Sequence, residues 1–413
     1  MIEVFETDSA YGVGVVKSWA SSLDDKTREQ AEAISRVSIM DGHLALMPDA
    51  HFGYGPPVGS ALKTRGAVMP YAVGVDIGCG MIAQQTTLER DQFGTREERR
   101  VLGNIRELIP SGVGKSHQAA VPQAEAFVAE HGLPEGIGPR SQLTRKKKGE
   151  GQVLLAADHT SLADRLRIQF GTLGSGNHFV EVCSDEAGVV WLLLHSGSRG
   201  IGNILASAHV NVAKAFCADN GIKIESNEFA YVVQGTSQFR NYISDMLWCQ
   251  QYALMQRDAM MDSLAAAVGD VFPSMGLVNE RINCHHNYAE ELEPGLWLTR
   301  KGAIDASVGK LGIIPGSMGA ATYIVQGKGE AESYNSSPHG AGRVMGRGEA
   351  KRTLDLDEFK AQMADRTWMD RDAEALLDEA PSAYKPIAQV MEDSKDLINP
   401  LSRLTQFINY KGL

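Results

Sequence analysis

Short glycine-rich loops that follow apolar runs are the feature of this sequence that most restricts its fold. Glycine accounts for 43 of the 413 residues, and the glycines gather in short clusters rather than in one flexible linker. Residues 189–194 (VVWLLL) lead into HSGSRG, and residues 311–314 (LGII) lead in the same way into PGSMG. Short apolar runs bounded by glycine are typical of buried strands. We therefore predict sheets whose strand ends carry glycine-rich loops, and we expect the functional groups at those ends.

Helical periodicity occurs between and beyond these runs. Apolar residues recur at spacings of three and four in residues 95–109, 241–267, 355–364 and 383–396, which is the spacing of one helix face. The sequence has no repeat period, no long heptad run and no proline-rich linker. It predicts a single α+β domain over residues 1–413, with mixed sheets, a surrounding shell of helices and a helical insertion near residues 200–275.

Composition restricts the class of protein. The chain has 43% hydrophobic and 22% charged residues, which is typical of a globular protein rather than a disordered one. No apolar run approaches the roughly 18 residues of a membrane span, and no leader pattern follows Met1. The five cysteines are too scattered for a disulfide framework. We expect a cytoplasmic protein that uses no membrane and whose cysteines are free thiols.

The net charge of −11 argues against a protein that coats nucleic acid, because phosphate contacts need lysine and arginine. Any RNA would therefore contact a local basic surface, to which bound metal ions would add positive charge. The dense basic run in residues 145–148 (RKKK) is either a solvated loop or, beside a cleft, a site for RNA phosphates.

One cysteine, one aspartate and several histidines suggest a metal site. Asp76 and Cys79 lie three residues apart in the glycine-rich turn VGVDIGCG. A thiolate has enough lone pairs to bridge two ions; alternatively, Cys79 is a buried structural residue beside a turn. Three histidines near glycine loops or strand ends are candidate ligands: His178, His195 and His286. Each alone is more often a core residue, but together the set favours Mn, Zn or Fe over calcium, with His285 facing away.

The loop SPHGAGR places His339 before two glycines and Arg343. A histidine nitrogen can attack phosphorus and form a phosphoramidate, and glycines allow a phosphate to approach the backbone closely. The alternative interpretation is a polar turn with a capping histidine. The small-residue loop PGSMG offers further donors suited to a nucleotide, although it is weak evidence alone.

Three common patterns of nucleotide and ester chemistry do not occur in the sequence. Residues 111–116 (SGVGKS) lack the first glycine of a Walker loop, because Ile109 stands in its place. No G-x-G-x-x-G follows a strand with a suitably spaced acid, and HSGSRG lacks the spacing of a nucleophile elbow. The sequence argues against a Walker ATPase, a dinucleotide-binding fold and a serine hydrolase.

Seven motifs occur in a fixed order between about Met47 and the C-terminal Lys411. They are MPDAHFGYGPPVG, VGVDIGCGM, GTLGSGNHFVE, LHSGSRGIGN, CHHNY, GIIPGSMGAATYIV and SPHGAGR. In these motifs the chain resembles the RtcB family of RNA-splicing ligases. The resemblance implies a single α+β domain of the family's own type. It also implies a GTP- and manganese-dependent ligase that joins RNA ending in a 3′-phosphate or 2′,3′-cyclic phosphate to RNA with a 5′-hydroxyl.

The same resemblance implies roles for particular residues. His339 would be the catalytic nucleophile that takes GMP from GTP. Cys79 would bridge two Mn²⁺ ions, whose shells would be completed by Asp76, His178, His195 and His286. The residues that would hold the guanylate are Asn177, Phe179, Glu181, Ser317, Gly340, Ala341, Gly342, Tyr384 and Lys411, with Phe179 on or beside the base.

Two loops depart from the better-known members of the family. The first motif reads PDAHFGYG where those members have a valine and a leucine, and YNSSPHGAGR lacks the cysteine that many carry just before the histidine. These loops resemble those of bacterial paralogues, for which RNA repair is an alternative to tRNA splicing. An archease-type activator is a further partner that the family suggests. Two other functions stay open: a metal-dependent cyclic phosphodiesterase or phosphatase, and a GTP-regulated RNA-binding protein without ligation.

Overall fold

The computed structural model describes residues 1–134 and 159–412, which contain seventeen β-strands. They are β1 (Glu3–Ser9), β2 (Gly12–Ser18), β3 (Met40–His51), β4 (Val58–Arg65), β5 (Ala67–Val68), β6 (Gly80–Glu89), β7 (Phe179–Ser184), β8 (Val189–Ser196), β9 (Val232–Val233), β10 (Leu277–His285), β11 (Asn287–Glu293), β12 (Leu296–Lys301), β13 (Ala303–Asp305), β14 (Leu311–Pro315), β15 (Thr322–Gly327), β16 (Ser336–Pro338) and β17 (Ile398–Lys411).

The same two ranges contain eleven α-helices. They are α1 (Asp25–Ser35), α2 (Pro70–Val73), α3 (Thr95–Leu108), α4 (Pro122–His131), α5 (His159–Gln169), α6 (Arg199–Asp219), α7 (Ser237–Gly269), α8 (Arg347–Thr353), α9 (Leu356–Gln362), α10 (Ala373–Leu376) and α11 (Ile387–Asp393). Within the described ranges, none of these helices combines the length and apolar character that a membrane span requires.

Two large sheets form the centre of the molecule. The first has six strands in the order β1-β2-β3-β4-β12-β11 and is mixed, because β2 and β3 run parallel. The second has seven strands in the order β10-β6-β8-β7-β17-β15-β14, and its neighbouring strands are antiparallel. Two-stranded ribbons pair β5 with β9 and β13 with β16. The last strand, β17, lies inside the second sheet, so the end of the chain is part of the core.

The packing of β8 explains how the second sheet is buried on both faces. Trp191 and Leu193 belong to an apolar cluster that also contains Met47 of the first sheet. Leu192 and Leu194 belong to another cluster, formed with side chains of α3 and α7. Successive side chains of a strand point to opposite faces, so the continuous apolar run VVWLLL is buried on both sides. The core is therefore layered, with the first sheet, the second sheet and a helical layer in contact.

A separate apolar cluster joins α4, α5, α6 and α7 beside the sheets. The ring of Phe127 lies 5.3 Å from that of Trp248 and 5.4 Å from that of Tyr252, both edge to face. Phe170 contacts the same tyrosine ring at 5.4 Å. Aromatic side chains bury large areas and favour this geometry. The cluster therefore connects α4 and the end of α5 to the long helix α7.

Most of the predicted elements are confirmed. The fold is α+β, the two apolar runs form β8 and β14, and the first three helical patterns correspond to α3, α7 and α9. The predicted helix at residues 383–396 is wrong in its first part, because α11 begins only at Ile387. Proline disfavours a helical conformation at the residue before it, here Lys385 before Pro386. The Lys385 amide instead donates to the Gly342 carbonyl at 2.9 Å.

Two expectations about organisation stay predictions. Helices α6 and α7 occupy much of residues 200–275, but this does not establish that they are an insertion, and the domain limits of 1–413 are likewise untested. The basic run at residues 145–148 lies outside the described residues.

Truncation of one ring in the helical cluster should show how much this cluster stabilises the fold. We expect Phe127→Ala to lower the free energy of unfolding by about 3–5 kcal/mol, because this fully buried ring leaves a cavity. Tyr11→Ala removes a ring that is 49% exposed and should cost under about 0.5 kcal/mol. Urea denaturation measures both values, and equal losses would contradict the core position of Phe127.

Candidate active site

Four candidate metal ligands lie at one edge of the second sheet. They are Cys79, just before β6; His178, just before β7; His195, near the end of β8; and His286, just after β10. The four strands are neighbours in the order β10-β6-β8-β7 and are antiparallel, so these starts and ends meet at the same edge. Neighbouring strands are about 4.8 Å apart. The sheet therefore brings together side chains that are far apart in the sequence.

The side chains of these four residues converge in a small buried cluster, called here the cysteine–histidine cluster. The Cys79 sulfur lies 3.4 Å from His178 Nε2 and 3.2 Å from His195 Nε2. His195 Nε2 is in turn 2.9 Å from His286 Nε2. The ligand atoms of the first three residues all lie within 4.8 Å of one another. This spacing suits ligands of a common metal site.

Hydrogen bonds on the far side of each ring determine which nitrogen faces the cluster. His178 Nδ1 lies 2.9 Å from the Leu173 carbonyl, and His195 Nδ1 lies 3.3 Å from the Asn177 carbonyl. A carbonyl only accepts, so each Nδ1 carries the proton. The Nε2 atom of each ring therefore faces the cluster.

His286 is oriented in the same way by a side chain. Its Nδ1 lies 3.2 Å from Asn287 Oδ1, an oxygen that also accepts from the Gly302 amide at 2.9 Å. Ring nitrogens with lone pairs, a thiol and a carboxylate thus face one another in a buried space. Such groups repel unless protons or cations lie between them. The donor set, with its oriented imidazoles, fits a transition-metal ion.

Asp76, which is half-buried, also contacts the cysteine–histidine cluster. Its Oδ2 lies 3.0 Å from His178 Nε2, and its Oδ1 accepts from the Ser198 amide at 3.0 Å. Burial would raise the pKa of Asp76, but the contacts with His178 and Cys79 lower it to about 2. A Cβ at Gly197 would lie 2.2 Å from Asp76 Oδ1, so only glycine permits this approach. Asp76 is therefore an ionised candidate ligand.

Without a bound cation, the buried cluster disfavours the charged forms of Cys79, His195 and His286. Burial, and then the Asp76 carboxylate, raise the pKa of the Cys79 thiol well above its usual value. Burial and neighbouring histidines hold the pKa of His195 and that of His286 well below their usual value. Neutral imidazole is the form that binds metal, and a bound metal ion deprotonates a coordinating thiol. Metal binding here would therefore release a proton.

His339 lies directly beside the cysteine–histidine cluster. It follows the short strand β16, and its ring centroid is 4.5 Å from that of His286. The buried Asp49 of β3 holds this loop, because its Oδ2 accepts from the amides of His339 and Gly340, both at 3.2 Å. The same oxygen lies 2.7 Å from His339 Nδ1. Within the described part of the chain, Nδ1 has no hydrogen bond of good geometry, but this contact places it against Asp49, so Nε2 is the ring nitrogen farther from the carboxylate.

Close packing of this loop against β3 depends on glycine at position 342. Gly342 has a φ of 73°, and a Cβ there would lie 2.1 Å from the Asp49 carbonyl oxygen. Only glycine adopts this conformation and approach without strain. The glycine-rich sequence SPHGAGR therefore also fixes His339 against Asp49, a contact that the sequence pattern did not predict.

One cavity contains His339 and the other candidate residues that reach the surface. Cys79 and His178 lie beneath its wall. Every residue expected to hold the guanylate lines the cavity: Asn177, Phe179, Glu181, Ser317, Gly340, Ala341, Gly342, Tyr384 and Lys411. The fold therefore brings the sequence-predicted residues into one site. His285 faces away as expected, since its Nδ1 lies 2.8 Å from the Gly78 carbonyl.

Glu379 organises the part of the cavity that contains Lys411 and Tyr384. Its carboxylate forms ion pairs with Lys411 and Arg347 and accepts from the Tyr384 hydroxyl at 2.9 Å. Burial would raise the pKa of Glu379, but Lys411 and Arg347 lower it to about 2. The ionised carboxylate thus holds a buried lysine and a half-buried phenol in fixed positions.

Sequence reasoning missed Asp49 and Glu379. Asp49 lies inside the motif MPDAHFGYGPPVG, so an acidic residue just before a glycine-containing segment was a signal that could have identified it. Glu379 lies in the ordinary segment LLDEAPSAY, where no local pattern distinguishes it from its acidic neighbour. Both residues matter because of contacts made across the fold.

Glu181 on β7 differs from Glu379 in its protonation. Its side chain is 3% exposed, and one carboxyl oxygen accepts from Asn409 Nδ2 at 2.7 Å. Burial raises its pKa to about 8, despite the opposing charges of Lys411 and Arg366. Glu181 is therefore largely protonated at neutral pH, and its carboxyl can both donate and accept inside the cavity.

Fold and site together define an α+β enzyme with a cluster that could hold a metal ion. The family described as tRNA-splicing ligase RtcB matches residues 30–412. The chain is 36% identical over 407 residues to RNA-splicing ligase RtcB1 of Escherichia coli ATCC 25922, covering 96% of this chain and 97% of that protein. It is 35% identical, with the same coverage, to RNA-splicing ligase RtcB of Escherichia coli K12. It is 28% identical to tRNA-splicing ligase RtcB of Pyrobaculum aerophilum, covering 89% and 87%. The chain belongs to the RtcB family.

The raised pKa of Glu181 predicts a specific pH dependence of stability. The folded protein keeps this proton up to about pH 8, whereas the unfolded chain loses it near the ordinary value of 4.5. Between these values the folded state binds more protons, so the free energy of unfolding falls as pH rises. Glu181→Gln cannot ionise and should lose this dependence, becoming more stable than the wild type at pH 8.

Thermal unfolding of wild type and Glu181→Gln between pH 5 and pH 8 measures this effect. The difference in free energy of unfolding between Glu181→Gln and the wild type should grow as pH rises. Its total change should be about 1.4 kcal/mol for each unit by which the pKa of Glu181 differs between the folded and the unfolded state. Glu186→Gln, at an exposed position, should retain the wild-type dependence. A difference between wild type and Glu181→Gln that stays constant with pH would contradict the raised pKa.

Proposed function

We propose that this protein is an RNA ligase that joins a 3′-phosphate or 2′,3′-cyclic phosphate end to a 5′-hydroxyl end, using GTP and Mn²⁺. The observation that carries the proposal is the 4.5 Å contact between the rings of His339 and His286, which sets a nucleophile beside the cysteine–histidine cluster. The names of the three relatives, all RNA- or tRNA-splicing ligases, support the same class of reaction. We assign the reaction to tRNA splicing or RNA repair in the cytoplasm.

The metal part of the proposal rests on the donor set. The residues that would hold the two Mn²⁺ ions are Asp76, Cys79, His178, His195 and His286. Three imidazoles whose Nε2 atoms face the cluster support this assignment. Bound ions would neutralise phosphate charge and orient an in-line displacement.

His339 is proposed as the group that carries GMP. Its Nε2 attacks the α-phosphorus of GTP, a P–N bond forms, the P–O bond to pyrophosphate breaks and pyrophosphate leaves. An oxygen of the RNA 3′-phosphate then attacks the same phosphorus, which breaks the P–N bond and frees the histidine. The RNA 5′-hydroxyl attacks the activated RNA phosphorus and loses its proton, and GMP leaves. A cyclic end first takes up one water molecule to become a 3′-phosphate.

The proposed guanylate site combines an aromatic wall with donors and acceptors. The Lys411 ammonium lies 5.9 Å from the centroid of the Phe179 ring, and Glu181 lies on the same strand as Phe179. Guanine offers an N1–H group and an O6 acceptor, which suit the Glu181 carboxyl and the Lys411 ammonium. Adenine cannot satisfy both, so these residues would favour guanine. The remaining proposed contacts are Asn177, Ser317, Tyr384 and the backbone of Gly340, Ala341 and Gly342.

The loop before β4 is proposed as the approach for RNA. Phe52 is 56% exposed and Tyr54 is 76% exposed, and Tyr54 lines the cavity. The backbone of the loop is nevertheless anchored, since Lys301 donates to the Tyr54 carbonyl and Glu228 accepts from the Gly55 amide at 2.7 Å. Exposed aromatic rings on an anchored loop are suited to stacking with unpaired bases.

Transfer of label from GTP tests the central step. Wild-type protein incubated with α-labelled GTP and Mn²⁺ should acquire a label that acid removes and alkali does not. His339→Ala should acquire none, because it lacks the attacking nitrogen, whereas the control His131→Ala, altered in the last turn of α4, should label normally.

The outcomes of this assay separate the alternatives. A folded, metal-loaded wild-type protein without label would favour a cyclic phosphodiesterase, a phosphatase or an RNA-binding protein. Label in His339→Ala would place the covalent bond elsewhere. Labelled protein that seals no RNA would indicate a missing archease-type activator.

Asp49 should affect how fast His339 takes GMP from GTP rather than how tightly GTP binds. We expect Asp49→Asn to slow labelling of His339 by about 100-fold or more, because the loop loses the carboxylate that orients the ring. Asp41→Asn alters the same strand at its ion pair with Arg65 and should label at the wild-type rate. Single-turnover labelling at saturating GTP measures this, and an unchanged rate in Asp49→Asn would refute the role.

A further inference from the structure

Arg257 of α7 is buried where the loops that carry the metal-ligand candidates meet. Its side chain is 0% exposed, a rare position for arginine. Its Nη1 donates to the carbonyls of Gly78 at 2.7 Å and Ser196 at 3.1 Å, and its Nη2 lies 3.1 Å from His285 Nδ1. These three residues are the chain neighbours of Cys79, His195 and His286. One guanidinium group therefore contacts the ends of β6, β8 and β10.

The shape of the guanidinium group makes this contact stiff. Its donors lie in one plane in a fixed fork, and the plane is fixed further because Nε donates to Asn283 Oδ1 at 2.8 Å. Movement of the β6 end, of the β8 end or of Asn283 on β10 by an ångström would break a hydrogen bond of a buried group, which is costly. The neighbouring Gln256 supports only the β8 end, through Ser196 Oγ at 2.7 Å and the Gly197 carbonyl at 2.9 Å.

The hydrogen bonds of Arg257 are made with neutral groups. Its acceptors are carbonyl oxygens, and no carboxylate among the described residues forms an ion pair with it. A buried cation without a partner costs free energy, so Arg257 is held by its hydrogen bonds to the strand ends rather than by an ion pair.

We propose that Arg257 is a positioning residue that holds the ends of β6, β8 and β10 at the spacing at which Cys79, His195 and His286 bind metal together. The inference rests on the proposed function, because it requires that the cluster binds metal. Arg257 acts through the backbone of its neighbours and does not line the cavity.

Cobalt(II) added to metal-free protein provides a readout that does not depend on ligation. A thiolate ligand gives a sulfur-to-cobalt charge-transfer band, and the visible d–d bands report the coordination geometry. We expect Arg257→Gln to weaken cobalt affinity by about 10- to 100-fold and to alter the d–d bands. Arg257→Lys keeps the charge but loses the fork, so it should weaken affinity less and still alter the bands.

Arg281→Gln is the matched control. Arg281 lies on β10 and pairs with Asp258 and Asp262 of α7, so it connects the same strand and helix as Arg257. It contacts none of the three strand ends described above. We expect this variant to bind cobalt with the affinity and spectrum of the wild type.

Circular dichroism of the metal-free variants first establishes folding, and Arg257→Lys carries the test if Arg257→Gln does not fold. Wild-type affinity and d–d bands in the folded Arg257 variants would overturn the positioning role, even with a lower melting temperature. A wild-type protein without the sulfur-to-cobalt band would overturn the proposed metal site and this inference with it. The two failures are distinguishable, since the first leaves the wild-type band intact.

Discussion

The antiparallel pairing of β10, β6, β8 and β7 is the interaction on which the site depends. Backbone hydrogen bonds hold these strands side by side, and their ends deliver the four members of the cysteine–histidine cluster to one edge. The register sets Met81 and Phe179 opposite His195. A slip of one residue would turn a ligand to the other face of the sheet. Because both faces are packed against apolar layers, the core that stabilises the protein also determines the geometry of the cluster.

Burial and neighbouring charges determine the protonation states at the two ends of the cavity, beside the cysteine–histidine cluster and around Glu379. At one end, burial keeps His195 and His286 neutral and the Cys79 thiol protonated until a cation binds. At the other end, the Glu379 carboxylate stays ionised because Lys411 and Arg347 surround it, while Glu181 is largely protonated. Two acids in one cavity thus differ in charge for reasons of environment alone. His339 lines the same cavity and touches the cluster, which places a nucleophile within reach of both halves.

The metal-ligand candidates could be proposed from the sequence because Asp76, Cys79, His178 and His195 stand in glycine-rich segments next to apolar runs, and His286 follows a run that ends in CHH. Asp49, Glu379 and Arg257 could not be predicted in this way. Asp49 acts on His339 across 290 positions, and Arg257 reaches Gly78 across 179. No periodicity or local spacing records such pairs. The helix expected from residue 383 failed for a local reason, the proline at 386, which was visible in the sequence but outweighed by an apolar pattern.

The sequence alone determined the helices and strands in outline, the identity of the metal-ligand candidates and the need for glycine near them. These features follow from side-chain chemistry and from steric effects between near neighbours, which a linear pattern records. Only the tertiary structure decided which ring nitrogen faces the cluster, which carboxyl keeps its proton and which arginine joins the three strand ends. Those outcomes depend on desolvation and on hydrogen bonds between distant segments, whose strength is set by packing rather than by order along the chain.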